Sequence, residues 1–172
     1  VQILVNRYPA DILTTHYRVY GELVARGDPA IYFNATDLLA LSIIDATLMP
    51  LRQGMRLGPV SMDELFIPRT EPQVIILGSY EPAVRPLPRK ENLICFTDTY
   101  LLRGTFHMGM DTNPEDIFFT AGGRAFHYAT NLDIYSLYPL AVDVKASAAL
   151  AFVRGEAVRA FYLQEKGAQA AT

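Results

Sequence analysis

Apolar and polar residues alternate along much of this chain. Leu13, Thr15, Tyr17, Val19, Gly21 and Leu23 share one face of an extended segment, and Phe96, Asp98, Tyr100, Leu102, Gly104 and Phe106 share one face of another. A period of two is that of a strand with one side on a core. Both runs place glycine in the same slot. Inside a strand, glycine marks a bend, a bulge or a close backbone approach, so both strands are expected to bend there.

The two runs belong to a longer self-similarity. Thr14-Thr-His-Tyr17-Arg-Val-Tyr-Gly21-Glu-Leu23 aligns with Thr97-Asp-Thr-Tyr100-Leu-Leu-Arg-Gly104-Thr-Phe106 at an offset of 83. Ile31-Tyr-Phe33-Asn-Ala35 aligns with Ile117-Phe-Phe119-Thr-Ala121 at 86, Leu48-Met-Pro50-Leu51 with Leu137-Tyr-Pro139-Leu140 at 89, and Ala83-Val-Arg85 with Ala157-Val-Arg159 at 74. Ordered internal matches are the signature of a repeat. The expectation is a tandem duplication of a strand, short helix, strand, strand unit.

The first copy is read as strands at 12–24, 39–48 and 73–79 with a helical segment at 29–36 and a return through 82–87. The second is read as strands at 93–107, 125–137 and 148–154, a helical segment at 114–121 and a closing stretch at 156–163. Pro29 and Pro114 suit helix starts, and Gly122-Gly123 a helix stop. Segment 52–66 has no counterpart in this alignment and reads as an insertion, with a turn-rich loop at 52–59 and Asp63 and Glu64 in a solvated loop. Pro82, Pro86 and Pro88 mark the boundary, giving a first repeat at 1–88, a second at 89–165 and a frayed tail at 166–172. A half of about 85 residues is marginal alone. The expected fold class is mainly β (α+β), with two packed twisted sheets or small barrels in pseudo-twofold symmetry.

Composition narrows the function classes. The 172 residues are 51% hydrophobic and 19% charged, which suits a globular core. The longest apolar run, around Leu38 to Ile44, is far below the about 18 residues of a membrane span. Fifteen basic against 18 acidic residues, net −3, supply no drive toward nucleic acid. A single cysteine, Cys95, excludes an internal disulfide and a cysteine zinc site. No charged-then-apolar leader opens the chain, so cytoplasmic residence is expected, although a start at Val leaves a removed leader open.

Candidate chemistry is sparse. His16, His107 and His127 lack metal-ligand spacing and read as surface or half-buried strand residues, with no metal or cofactor expected. No nucleophile elbow or phosphate loop occurs. Cys95, assigned to the outward parity of its strand, reads as an inert thiol. Asp45 and Asp133 fall near the same strand of each copy, where they would either meet as an acid–base couple or serve as strand-end turn residues. Ten tyrosines and nine phenylalanines stand out. Neighbours on a strand point to opposite faces, so one of Phe161 and Tyr162 is exposed or covered by a partner. Tyr20 and Leu101 hold outward parity, and exposed apolar residues in a row mark a subunit contact.

The segment Ala151-Phe-Val-Arg154-Gly155-Glu-Ala-Val158-Arg-Ala-Phe161 resembles the second motif of Sm-like RNA-binding barrels, an apolar strand, Arg-Gly and a short final strand. Gly21-x-Leu23, Asn34 and Ile44-Asp45-Ala46 echo the first motif of that family. The resemblance implies small bent barrels forming rings, with Asn34 and Arg154-Gly155 in RNA-contacting positions.

Function is expected to be that of a non-catalytic binding or assembly module made of two repeats, its partner being itself or another protein. The alternative is a small-molecule binder or enzyme with a site between the repeats, lined by aromatics, Asp45 and Asp133. Sm-like RNA binding through Asn34, Arg154 and Gly155 is a further alternative, against which the net acidity counts.

Overall fold

Each of the two alternating runs begins at the end of one strand and continues in the next, because a threonine hydroxyl closes a tight hairpin turn near its start. Tyr17 N–H donates to Thr14 Oγ1 at 2.9 Å, and Tyr100 N–H donates to Thr97 Oγ1 at 2.9 Å. Such side-chain bonds to nearby backbone stabilise turns in place of a continuing ladder. The expected strands at 12–24 and 93–107 are thus replaced by β1 (Val5–Leu13) with β2 (Tyr17–Arg26), and by β6 (Arg89–Phe96) with β7 (Tyr100–Met108). The alternation hid the reversal, since residues facing each other across an antiparallel pair share one side of the sheet. Cys95 shows the consequence. It lies opposite Leu102 and is buried with it, which corrects its outward assignment.

The computed structural model describes residues 4–83, 85–119 and 124–164. Thr120, Ala121, Gly122-Gly123 and the tail at 166–172 lie outside the described residues. The other strands are β3 (Ala40–Pro50), β4 (Val60–Pro68), β5 (Val74–Leu77), β8 (Phe126–Ser136), β9 (Ser147–Arg154) and β10 (Ala160–Leu163). A four-residue helix α1 (Pro29–Tyr32) joins β2 to β3, and 3₁₀ turns stand at Pro114–Asp116 and Gly155–Ala157. Helix α1 starts where Asp28 accepts the Ala30 N–H at 2.8 Å and proline occupies the first turn. The turn-rich loop at 52–59 leads into β4, so Asp63 and Glu64, expected in a loop, lie exposed on a strand. Polar side chains on an edge strand mimic a loop in sequence.

All ten strands form one open antiparallel sheet in the order β10-β6-β7-β8-β9-β5-β1-β2-β3-β4. This replaces the expected pair of packed sheets. The reason is that β5 hydrogen-bonds β1 on one side and β9 on the other, so the ladder continues through the seam between halves. The seam joins unlike strands. A twofold axis would pair like with like, so the two halves run head to tail instead.

Strand pairings recur between the halves in one consistent register. Tyr17 opposite Pro50 becomes Tyr100 opposite Ser136, Ala40 opposite Pro68 becomes Phe126 opposite Arg154, and Ala10 opposite Leu77 becomes Leu93 opposite Leu163. The step is 83 residues in the first hairpin and 86 from the third strand on. The bulge between Tyr20 and Glu22 becomes the one between Arg103 and Thr105. In this pattern of pairing β10 holds beside β6 the place that β5 holds beside β1, and β9 holds beside β8 the place that β4 holds beside β3.

Two hydrophobic cores lie on opposite faces of the seam. Val74 and Ile76 of β5 join Leu13, Leu93, Tyr100 and Val153 in one. Ile75 and Leu77 join Ile12, Leu23, Phe33 and Phe152 in the other. The four apolar residues of β5 are therefore buried on both sides, as expected of a continuous apolar run.

Candidate functional site

Three residue pairs make the seam: Val74 with Val153, Ile75 with Phe152, and Ile76 with Ala151. Buried polar groups then lock it. Gln73 donates from its side-chain amide to Thr15 Oγ1 at 2.7 Å and accepts from the Thr97 hydroxyl, so it joins the turns of both hairpins. Arg154 N–H donates to the Gln73 carbonyl at 3.0 Å. On the other face, Phe33 packs edge-on against Phe152 with centroids 4.9 Å apart, and Tyr80 and Tyr128 lie 6.0 Å and 5.7 Å from the same ring.

Three residues implied by the Sm-like resemblance serve this seam. Asn34 Nδ2 donates to the Phe126 carbonyl at 3.2 Å while its Oδ1 accepts the Phe126 N–H at 3.0 Å, a clamp between halves. The Arg154 guanidinium donates to the Pro72 carbonyl at 2.7 Å and lies 3.6 Å from Glu156, and burial lowers its pKa. Gly155 is packed so closely that a Cβ there would come within 2.9 Å of His127 Nε2. These groups face protein, with much of their bonding capacity spent on the fold.

Asp45 and Asp133 are not brought together. Four strands separate β3 from β8 in the sheet, so they form no acid–base couple. Asp133 holds Arg103, with Nη2 at 2.7 Å. Asp45 is exposed with φ +48°, and the residue in the same register is Asn131, φ +49°, not Asp133. Both sit opposite the strand bulges, where Asp and Asn tolerate the left-handed region better than most side chains.

Other candidate chemistry is absorbed by packing. His107 and His127 are buried, deeper than expected, and His16 is exposed. Burial, with Arg124 nearby, pulls His127 down to about 4, and burial with Lys90 nearby lowers His107. Burial pushes the Cys95 thiol up to about 12, away from nucleophilic character. Among the described residues no group of three or more His, Cys, Asp or Glu could hold a metal ion, and no helix is long and apolar enough to cross a membrane. A hollow lined by Thr15, His16, Arg52, Asp98 and Tyr138 opens between the halves, without a convergent catalytic set.

Among the described residues, the edge strands β4 and β10 have no strand on their outer side. On β4, Phe66 is 63% exposed, and on β10 Tyr162 is 51% exposed. Phe119, 69% exposed, lies 6.0 Å from Phe161 of β10. Of these, Tyr162 was within reach of strand parity, while Phe66 was lost in a segment read as insertion. The signal available for it was the run Leu65-Phe66-Ile67, three apolar residues bounded by Glu64 and Pro68. The chain matches no family model, curated protein or solved structure at a significant level.

Proposed function

We propose that the chain is a tandem duplication of a five-strand unit and works as a non-catalytic assembly module, adding strands at the free edges of its sheet. The observation that carries this reading is the matched register. Each half presents the order 5-1-2-3-4 under steps of 83 and 86, and one such unit already docks on the other by edge pairing. An unpaired edge is a template for a further strand. Here both edges bear exposed aromatic side chains, which add buried area and specificity to backbone pairing.

The Sm-like resemblance supports the same architecture. Its matched segment is β9, the Arg154-Gly155 turn and the short strand β10. RNA contact draws no support from Asn34 or Arg154, which are bonded within the seam. A small-molecule site between the halves loses its proposed carboxylate pair.

The test uses a labelled peptide spanning residues 158–164 and a Tyr162→Glu chain, whose own β10 edge is disabled while β4 stays free. The peptide is expected to bind, and Phe66→Glu in the same chain to weaken binding about tenfold or more. A peptide that binds neither chain removes the assembly reading.

A further inference from the structure

We infer that the occupant of both edges is a second copy of this chain, joined head to tail, with β10 of one copy laid against β4 of the next in the register of the internal seam. This rests on the assembly reading and names its partner. The step of 86 turns Val153, Phe152 and Ala151 into Ile67, Phe66 and Leu65, and turns Val74, Ile75 and Ile76 into Ala160, Phe161 and Tyr162. The joint therefore pairs Ile67 with Ala160, Phe66 with Phe161, and Leu65 with Tyr162.

The two ends of the molecule each hold half of what the seam holds whole. At the seam Phe152 is 1% exposed beneath Phe33, which stands beside α1. Phe66 occupies the same register position on β4 and is uncovered. The corresponding turn of the second half carries Phe118 and the exposed Phe119, both close to Phe161. Laid head to tail, that turn comes to Phe66 as Phe33 comes to Phe152.

The edge also restricts pairing to this register. The seam uses three residues of β9, and β4 leaves three apolar residues, Leu65 to Ile67, between charged Glu64 and Pro68, which has no N–H to give. Charge and proline at an edge limit slipped or longer pairings. Because the joint unites unlike strands it leaves one edge free at each end, and the assembly continues to a closed ring or an open filament.

Native mass spectrometry and light scattering on the full chain test this with Phe66→Glu, Tyr162→Glu and their equimolar mixture. The wild type is expected to exceed a dimer. Each variant alone is expected to be monomeric, and the mixture to form a dimer, since one good β10 edge meets one good β4 edge. Melting curves report whether each variant is folded, and Phe66→Asn and Tyr162→Ser replace any that is not.

A wild type that stays monomeric while the peptide still binds overturns the second copy and leaves the assembly reading standing. A variant that dimerises alone shows like-with-like pairing and overturns the head-to-tail joint. A mixture with no dimer does the same.

Discussion

Gln73 and Thr97 connect the two halves through a buried hydrogen bond, in which the threonine hydroxyl donates to the glutamine Oε1. Residue 73 directly precedes the seam strand, and Thr97 caps the turn between β6 and β7. The same amide reaches Thr15 in the first hairpin, so one side chain sets the spacing of both turns. Replacing Gln73 with Leu would strand the partners of these bonds. Each buried group left unpaired costs about 1–3 kcal/mol, so Gln73→Leu is expected to lower stability by about 2–4 kcal/mol. Urea unfolding checks this, and a loss below about 1 kcal/mol would deny the residue its locking role.

Gly21 has a steric duty that Gly58 lacks. A Cβ at Gly21 would lie 2.7 Å from the Ile44 carbonyl oxygen and 2.8 Å from Ile43 Cγ2, whereas at Gly58 it would meet nothing within 4 Å. Gly21→Ala is expected to cost about 2–3 kcal/mol and Gly58→Ala about 0.5 kcal/mol or less. Gly104→Ala should fall between them, because its nearest clash is a Leu132 methyl at 2.9 Å, with backbone at 3.2 Å. Equal costs at all three positions would contradict the close-approach account.

Asp45 has a conformational role that can be separated from any binding role. Its φ of +48° is open to glycine and strained for a β-branched residue. Asp45→Gly should leave stability unchanged or slightly raised, and Asp45→Val should lower it by about 1–2 kcal/mol. Thermal melts of the two variants decide the matter, the opposite order being the contrary result.

His127 makes the fold sensitive to mild acid. Its pKa is depressed to about 4 in the folded chain, against an ordinary 6.5. Between those values the unfolded chain binds a proton that the folded chain refuses. The stability linked to this group is complete above about pH 6.5 and is lost as pH falls toward about 4, up to about 3 kcal/mol in all. His107, also depressed by burial, acts in the same direction. Urea midpoints measured from about pH 7.5 down to about pH 5 should fall, and His127→Gln should flatten the decline. A wild type as stable at the acid end would contradict the assignment.

The recurrence of local features is legible in the sequence because turn threonines, bulge glycines and prolines before short helical turns are set by local geometry. The Thr14 and Thr97 turns, Gly21 and Gly104, and Pro29 and Pro114 all recur in equivalent places. The strand count was not legible. Alternation passes unbroken through a tight hairpin, so the end of β1 reads as continuous with β2, and the rest of β1 lies outside the expected strand at 12–24. On β4, Asp63 and Glu64 face solvent, so the strand carries no period of two and its Phe66 was passed over. The strand expected at 73–79 is present as β5. Asn34 and Arg154 enter the sequence reading only through the Sm-like resemblance, and a polar side chain that clamps backbone across a seam has the same signature in sequence as one that meets a ligand.

Burial of β5 on both sides has a consequence during synthesis. The strand finds β1 at once, yet its other neighbour lies about 75 residues later in the chain. At roughly 5–20 residues per second, the nascent first half holds an open apolar edge for about 4–15 s before the residues of β9 are added. For that interval Val74 and Ile76 lack the strand that covers them in the full chain. A ribosome stalled between the halves would therefore hold out a sticky intermediate, ready to capture β9 from a neighbouring chain.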